Sequence, residues 1–320
     1  VTDLGATAGD APRSWRLQLS PDLYQKICLI ALIALAFIVV TGGAVRVTDS
    51  GLGCTDWPTC EHNQFVASLD QPHAVVEFGN RIVTGAVSIA VIVAVLGSLL
   101  RVPRRRDLTW LSLGLVAGVI GQAVLGGVSV LFELAPPFVM AHFLLSMVLV
   151  LNAVVLEHRA GQPDGPPSPI VDLGSRRLGR AMVAVAVAVL VSGTVVTGAG
   201  PHGGDIKASR LPFYLPDVAR VHSVTAITLL ILTLVTLWRL TRRGASKEVD
   251  RRAQVLVAAI LVQGAIGYTQ YFTGVPPALV GLHILGATLV WIAVLRFYLG
   301  LWARPIERTA TMESCESLPL

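Results

Sequence analysis

The chain comprises 320 residues with a formal net charge of +5; 14% of them are charged and 53% are apolar. Soluble domains carry about a quarter charged residues, and a mean hydropathy of +0.68 excludes that class. The excess of Lys and Arg falls in a few short loops, which marks membrane topology and not a nucleic-acid surface.

Residues 1–26 are polar and carry Arg13, Arg16 and Lys26. The apolar run after them is too long for the core of a cleavable signal, so an uncleaved first helix is expected. Eight such runs are present, at about residues 27–45, 76–100, 108–132, 137–157, 180–199, 216–238, 253–273 and 278–301. Each approaches the ~20 residues that cross a bilayer as helix. Lipid admits only helices or closed barrels, and the period-2 alternation of a barrel is absent. The predicted fold is therefore all-α, an integral membrane protein with eight transmembrane helices.

The first outer loop, 47–75, is net acidic and holds Cys54, Cys60 and His62. On an oxidising side Cys54 and Cys60 are expected to bond, with a pair of free thiols as the alternative. A zinc site there would have His62 as third ligand and lack a fourth. Cys28 lies in the first span and Cys315 in the tail. On the second span His73, Glu77, Asn80 and Thr84 fall on one helix face by their spacing. Glu77 thus points toward the same cavity as Asn80, one turn nearer the outer surface. A carboxylate there can move protons or stabilise positive charge; pairing with Arg81 or His73 is the structural alternative.

The loop from Arg101 to Arg106 is strongly basic, as are Arg176, Arg177 and Arg180, and the stretch from Arg239 to Arg252. All three join an even-numbered span to the next odd one, which places them, and both termini, on the cytoplasmic side. Small residues on the third and seventh spans (Gly121, Gly126, Gly127; Gly264, Gly267) read first as close-packing positions and second as cofactor contacts. Gly161 to Pro169 has linker composition. The expected division is a cytoplasmic segment 1–26, a first four-helix bundle 27–160, a linker 161–178, a second bundle 179–302 and a cytoplasmic tail 303–320.

The second half repeats the first. Gln122 and His142 recur as Gln263 and His283, 141 residues later, and the Asn80 segment falls on the His222 segment at an offset of 142. Four crossings return the chain to its starting side, so the repeats are parallel. Asn80, His142, His222 and His283 lie four to six residues inside the outer ends of their spans, about 6–9 Å deep. Each half then offers two facing helices with side chains at one level, as axial ligation of a porphyrin requires. Intramembrane polar groups are costly and tend to be functional. His222 and His283 are expected to ligate a heme iron; His142 is a weaker candidate because its partner slot holds Asn80. Two imidazoles alone make a thin zinc or non-heme iron site. Arg81 and Arg220, near the outer helix ends, can pair with heme propionates or anchor the chain at the interface. For His62, His158 and His202 a loop or helix-end role is expected.

At these residues the chain resembles the heme A synthase family over about residues 27–301. Thr41-Gly42-Gly43, the run Val47 to Cys54, Asp56-Trp57-Pro58, Glu77-Phe-Gly-Asn80-Arg81 and Thr197 to Asp205 carry the resemblance, with the segments around His142, His222 and His283. It implies oxidation of the C8 methyl of heme O to a formyl group through two hydroxylations and loss of water. It further implies heme b held by His222 and His283 as an electron carrier, heme O held by His142, Glu77 as the essential acid, and an outer-loop cysteine pair. Heme O synthase, and quinol or another membrane electron donor, are the implied partners. The family motif places histidine where this chain has Asn80, which leaves the substrate iron with His142 alone, or with Asn80, water or His73 as a second ligand. The 200–216 loop lacks a cysteine pair. A diheme cytochrome passing electrons from quinol is the competing reading, and Asn80 and Glu77 count against it. A transporter of parallel repeats would need a polar pathway or interrupted helices near the midplane.

Overall fold

The computed structural model describes residues 18–54, 56–60 and 64–304; His62, Cys315 and the expected end segments before 18 and after 304 lie outside the described residues. The described chain forms α1 (Pro21–Val47), α2 (Pro72–Leu100), α3 (Arg106–Leu131), α4 (Pro136–Ala160), α5 (Leu173–Ala199), α6 (Leu215–Arg242), α7 (Lys247–Phe272) and α8 (Pro277–Leu299). All eight are long and apolar enough to cross a membrane. The protein is an all-α, multi-pass membrane protein. One short antiparallel pair, β1 (Ser168–Pro169) with β2 (Trp302–Ala303), ties the central linker to the end of α8.

Several helices run past their apolar stretches, and their caps explain it. Ser20 accepts from the Leu23 amide at 3.2 Å, and Pro21 costs no hydrogen bond in a first turn, so α1 starts at Pro21. Asp172 accepts from Gly174 N at 2.9 Å and Ser175 N at 3.3 Å, which starts α5 at Leu173. Residues 173–178, expected in the linker, are therefore helical. The second helix begins at Pro72, four residues before the expected 76, and Asn80 sits correspondingly deeper along it.

Helices α1 to α4 pack as a closed ring, each against its chain neighbour and α1 against α4; α5 to α8 do the same, with α5 against α8. The rings meet where α8 crosses α1 and α4 and where α4 touches α5. There the buried Trp291 indole donates to the Met147 carbonyl at 3.0 Å. Gly43 on α1 lets α8 approach, since a Cβ there would lie 2.8 Å from Ile284 Cδ1. Tyr24, Cys28, Leu115, Leu156, Met182, Leu256 and Phe297 fill the interior, while Ile30, Ile33, Trp110, Val224 and Phe272 face outward as lipid-compatible surface.

The two ends of the bundle differ. At one end the odd-to-even connections gather: the Gly51 amide donates to Gly204 O at 2.8 Å, and His202 Nε2 lies 2.8 Å from Val275 O. Arg46, at the end of α1, donates to the carbonyls of His202 (2.7 Å) and Thr197 (3.0 Å), so one guanidinium holds the C-terminal end of α5 against α1. At the other end lie the basic connections, where Arg105 pairs with Asp107, Arg239 with Asp172 and Arg296 with Glu157.

Candidate functional site

The second ring brings together His222 from α6 and His283 from α8, with ring centres 6.2 Å apart and planes at 73°. Each ring rests on a glycine of a neighbouring helix. A Cβ on Gly193 would lie 3.1 Å from His222 Cε1, and one on Gly267 would lie 2.9 Å from His283 Cε1. Each Nδ1 has a polar neighbour: Ser192 Oγ is 3.1 Å from that of His222, and the Gln263 carboxamide is 3.0 Å from that of His283. Gln263 also donates to the His283 carbonyl at 2.8 Å, which fixes its chain against α8.

Two imidazoles on opposite sides of one metal ion, bonded at about 2 Å each, have ring centres roughly 6 Å apart. The observed separation fits that arrangement. Among the described residues no third His, Cys, Asp or Glu completes a protein-only metal cluster. A porphyrin, which brings four nitrogens of its own, needs only the two histidines.

The first ring is built differently. His142 on α4 lies against Gly126, where a Cβ would be 3.3 Å from its Cε1, but its buried Nδ1 has no hydrogen-bond partner among the described residues. Gln122 donates to the His142 carbonyl at 3.1 Å and to Ser146 Oγ at 2.7 Å, not to the ring. Asn80 accepts from the Thr41 hydroxyl of α1 at 2.8 Å. Gly121 meets Leu145 and Gly127 meets the Trp57 indole, so these two glycines do serve packing, whereas Gly126 and Gly267 lie beneath histidine rings.

Glu77 is 7% exposed and fully engaged. Its Oε2 accepts from the Cys54 amide at 2.8 Å, and its Oε1 forms an ion pair with Arg81 at 2.7 Å. Arg81 continues to the carbonyls of Thr59 (2.9 Å), Pro58 (3.3 Å) and Asp56 (3.3 Å). Cys54 and Cys60 are joined by a disulfide, and a Cβ on Gly127 would lie 2.6 Å from the Trp57 indole. The disulfide loop between α1 and α2 is thus folded down onto α2 and α3, with Glu77 at its base. His73 bonds Ser50 Oγ at 3.0 Å instead of turning to Asn80. Arg220 is 77% exposed and pairs with Asp217 at 3.0 Å. His158 bonds Gln162, as a helix-end histidine would.

The sequence pointed to neither Ser192 nor Gly193, and Thr41 and Trp57 entered only within the motifs that carry the resemblance. Ser192 had a signal, being the first hydroxyl in the apolar run one span before His222; the Cys54 amide and Trp57 had none for their contacts, because these depend on how the loop folds.

A family model described as cytochrome oxidase assembly protein (COX15-CtaA) matches residues 25–203, more than half of the chain. The chain belongs to this family. Curated relatives named heme A synthase align with up to about four-fifths of it. That of Halalkalibacterium halodurans is 26% identical over 82% of this chain and 93% of its own. That of Listeria welshimeri is 26% identical over 84% and 92%, and that of Shouchella clausii 25% over 78% and 87%. The family match runs from α1 through the end of α5, and the relatives' alignments extend the likeness into the second ring.

Proposed function

We propose that this chain is a heme A synthase, an oxidoreductase that oxidises the C8 methyl of heme O to the formyl of heme A through successive hydroxylations. The observation that carries the reading is the contrast between the rings in a member of this family: a matched histidine pair 6.2 Å apart in one, and a single histidine with Asn80 and Glu77 in the other. The second ring, residues 179–302 with the preceding turn of α5, holds heme b through His222 and His283. That heme, when bound, supplies one-electron carrying capacity. The first ring, 27–160, takes heme O as substrate, with His142 as its iron ligand and one side open for substrate to enter and leave.

Glu77 lies at the outer end of that ring, fixed between Arg81 and the Cys54 amide. A carboxylate so held can accept a proton from the reacting carbon's substituent or stabilise positive charge there. The basic end of the bundle is cytoplasmic and the disulfide loop extracytoplasmic, following the positive-inside rule. Heme O synthase is the partner that delivers substrate, and quinol or another membrane donor supplies electrons.

The test is expression with a heme O synthase in a host lacking heme A, followed by heme extraction and chromatography. Wild type yields heme A, and Glu77→Ala yields none while heme b stays bound. Stoichiometric heme b with no heme A from the wild type, despite available heme O and reductant, refutes the proposal and favours an electron-transfer cytochrome.

A further inference from the structure

The two rings differ at more than Asn80. Aligning Thr41-Gly42 with Thr197-Gly198 places Ala36 and Phe37 of α1 opposite Ser192 and Gly193 of α5. These are the residues that surround His222. Three positions therefore change together between the halves: His222 becomes Asn80, its ring partner Ser192 becomes Ala36, and the bare backbone under its ring becomes Phe37. Asn80 bonds Thr41 instead, whereas the matched Thr197 hydroxyl is spent on its own helix, donating to Gly193 O at 2.9 Å.

The hydrogen-bond order around Ser192 is set by its neighbours. Thr225 donates its hydroxyl to the His222 carbonyl at 2.8 Å. Ser192 has one proton, with Val189 O at 3.1 Å and Thr225 Oγ1 at 3.1 Å to receive it. With its proton directed to either of these, its lone pairs can accept from His222 Nδ1–H at 3.1 Å. In that arrangement His222 carries its proton on Nδ1 and leaves Nε2 bare, the form in which imidazole binds a metal. Gly193 permits the ring to lie against α5, since a methyl there would crowd Cε1 at 3.1 Å.

We propose that Ser192, with Gly193 beneath the ring, is the positioning residue that makes His222 a fixed axial ligand. On the same argument, the Ala36–Phe37 pair leaves the first ring without such a clamp, so only the second ring retains its heme permanently. The proposal rests on the heme b reading above. A ligating histidine that donates its second nitrogen's proton is a more basic ligand and favours ferric iron, and loss of such an outer partner typically costs 10–100-fold in metal affinity.

The experiment compares wild type, Ser192→Ala and Ser192→Thr as purified full-length protein. It reads three properties: low-spin heme b spectrum, midpoint potential, and the rate of heme transfer to excess apomyoglobin. Ser192→Ala is expected to keep heme b but to shift its potential to more positive values and lose heme about 10–100-fold faster, with Ser192→Thr restoring both. A Ser192→Ala protein with wild-type potential and wild-type heme retention overturns the proposal while leaving the heme b reading intact. A wild type without low-spin heme b overturns that reading, and the proposal with it.

Discussion

Arg81→Ala tests how the disulfide loop is held over the first ring. In the intact protein Arg81 joins Glu77 at 2.7 Å and three loop carbonyls, while Glu77 joins the Cys54 amide. Removing one partner of a buried ion pair costs about 3–5 kcal/mol, because the remaining charge is left unpaired. The Arg81 side chain is 25% exposed and that of Glu77 9%, so water reaches part of the gap and the cost falls near the lower end, about 3 kcal/mol. The carbonyl contacts are left out of that figure, since the opened loop can satisfy them with water. At about 1.4 kcal/mol per factor of ten, local opening of the loop becomes about a hundredfold more frequent. Hydrogen–deuterium exchange of purified protein reads this directly: amides of Cys54 and Cys60 should lose about two orders of magnitude of protection, while those of α5 to α8 stay unchanged. Arg81→Lys should recover part of the protection through its charge alone. Wild-type exchange at Cys54 and Cys60 in Arg81→Ala would refute the claim that this ion pair latches the loop.

Gly267→Ala places a methyl 2.9 Å from His283 Cε1 and should displace the ring, so low-spin heme b falls sharply; Gly126→Ala, at 3.3 Å from His142, should leave that signal intact. Absorption spectra of the two purified variants decide between these outcomes. Asp172 caps α5, and its carboxyl is held well below the usual carboxylate range, first by the Arg239 hydrogen bond and then by Ser175. Because its folded pKa is depressed, its contribution is present above the unfolded pKa of about 3.9 and is lost as pH falls toward the folded value. Thermal unfolding of Asp172→Ala should show a loss of about 1 kcal/mol near neutral pH, with a shallower decline below pH 4 than the wild type shows. Equal slopes in both proteins would count against that role.

The eight spans were legible because each apolar run had to satisfy its backbone inside lipid, and only helix does so without partners. Their ends were less so. The start of α5 depends on whether Asp172 turns back to cap Gly174 and Ser175, which composition does not reveal. The proximity of His222 and His283 could be argued from depth alone, since both sit about two turns inside helices entering from the same end. Glu77 could be placed on the Asn80 face of its helix with Arg81 or His73 as a possible partner, but its full set of two partners could not be chosen. One of them is a loop amide 23 residues earlier, brought in by a disulfide turn. The other is Arg81, one of the two partners weighed for Glu77 from the sequence, and its side chain also reaches three loop carbonyls. Gly126 and Gly267 illustrate a further limit, because a bare backbone that admits a helix and one that admits a histidine ring look alike in sequence.

The most direct test of the account is the heme content and spin state of purified wild type, His142→Ala, His222→Ala and His283→Ala, all expressed where heme b is the only heme available. Wild type and His142→Ala should carry stoichiometric low-spin heme b, and both His222→Ala and His283→Ala should lose it. Low-spin heme b that survives His222→Ala and His283→Ala but disappears with His142→Ala would contradict the division of labour between the two rings.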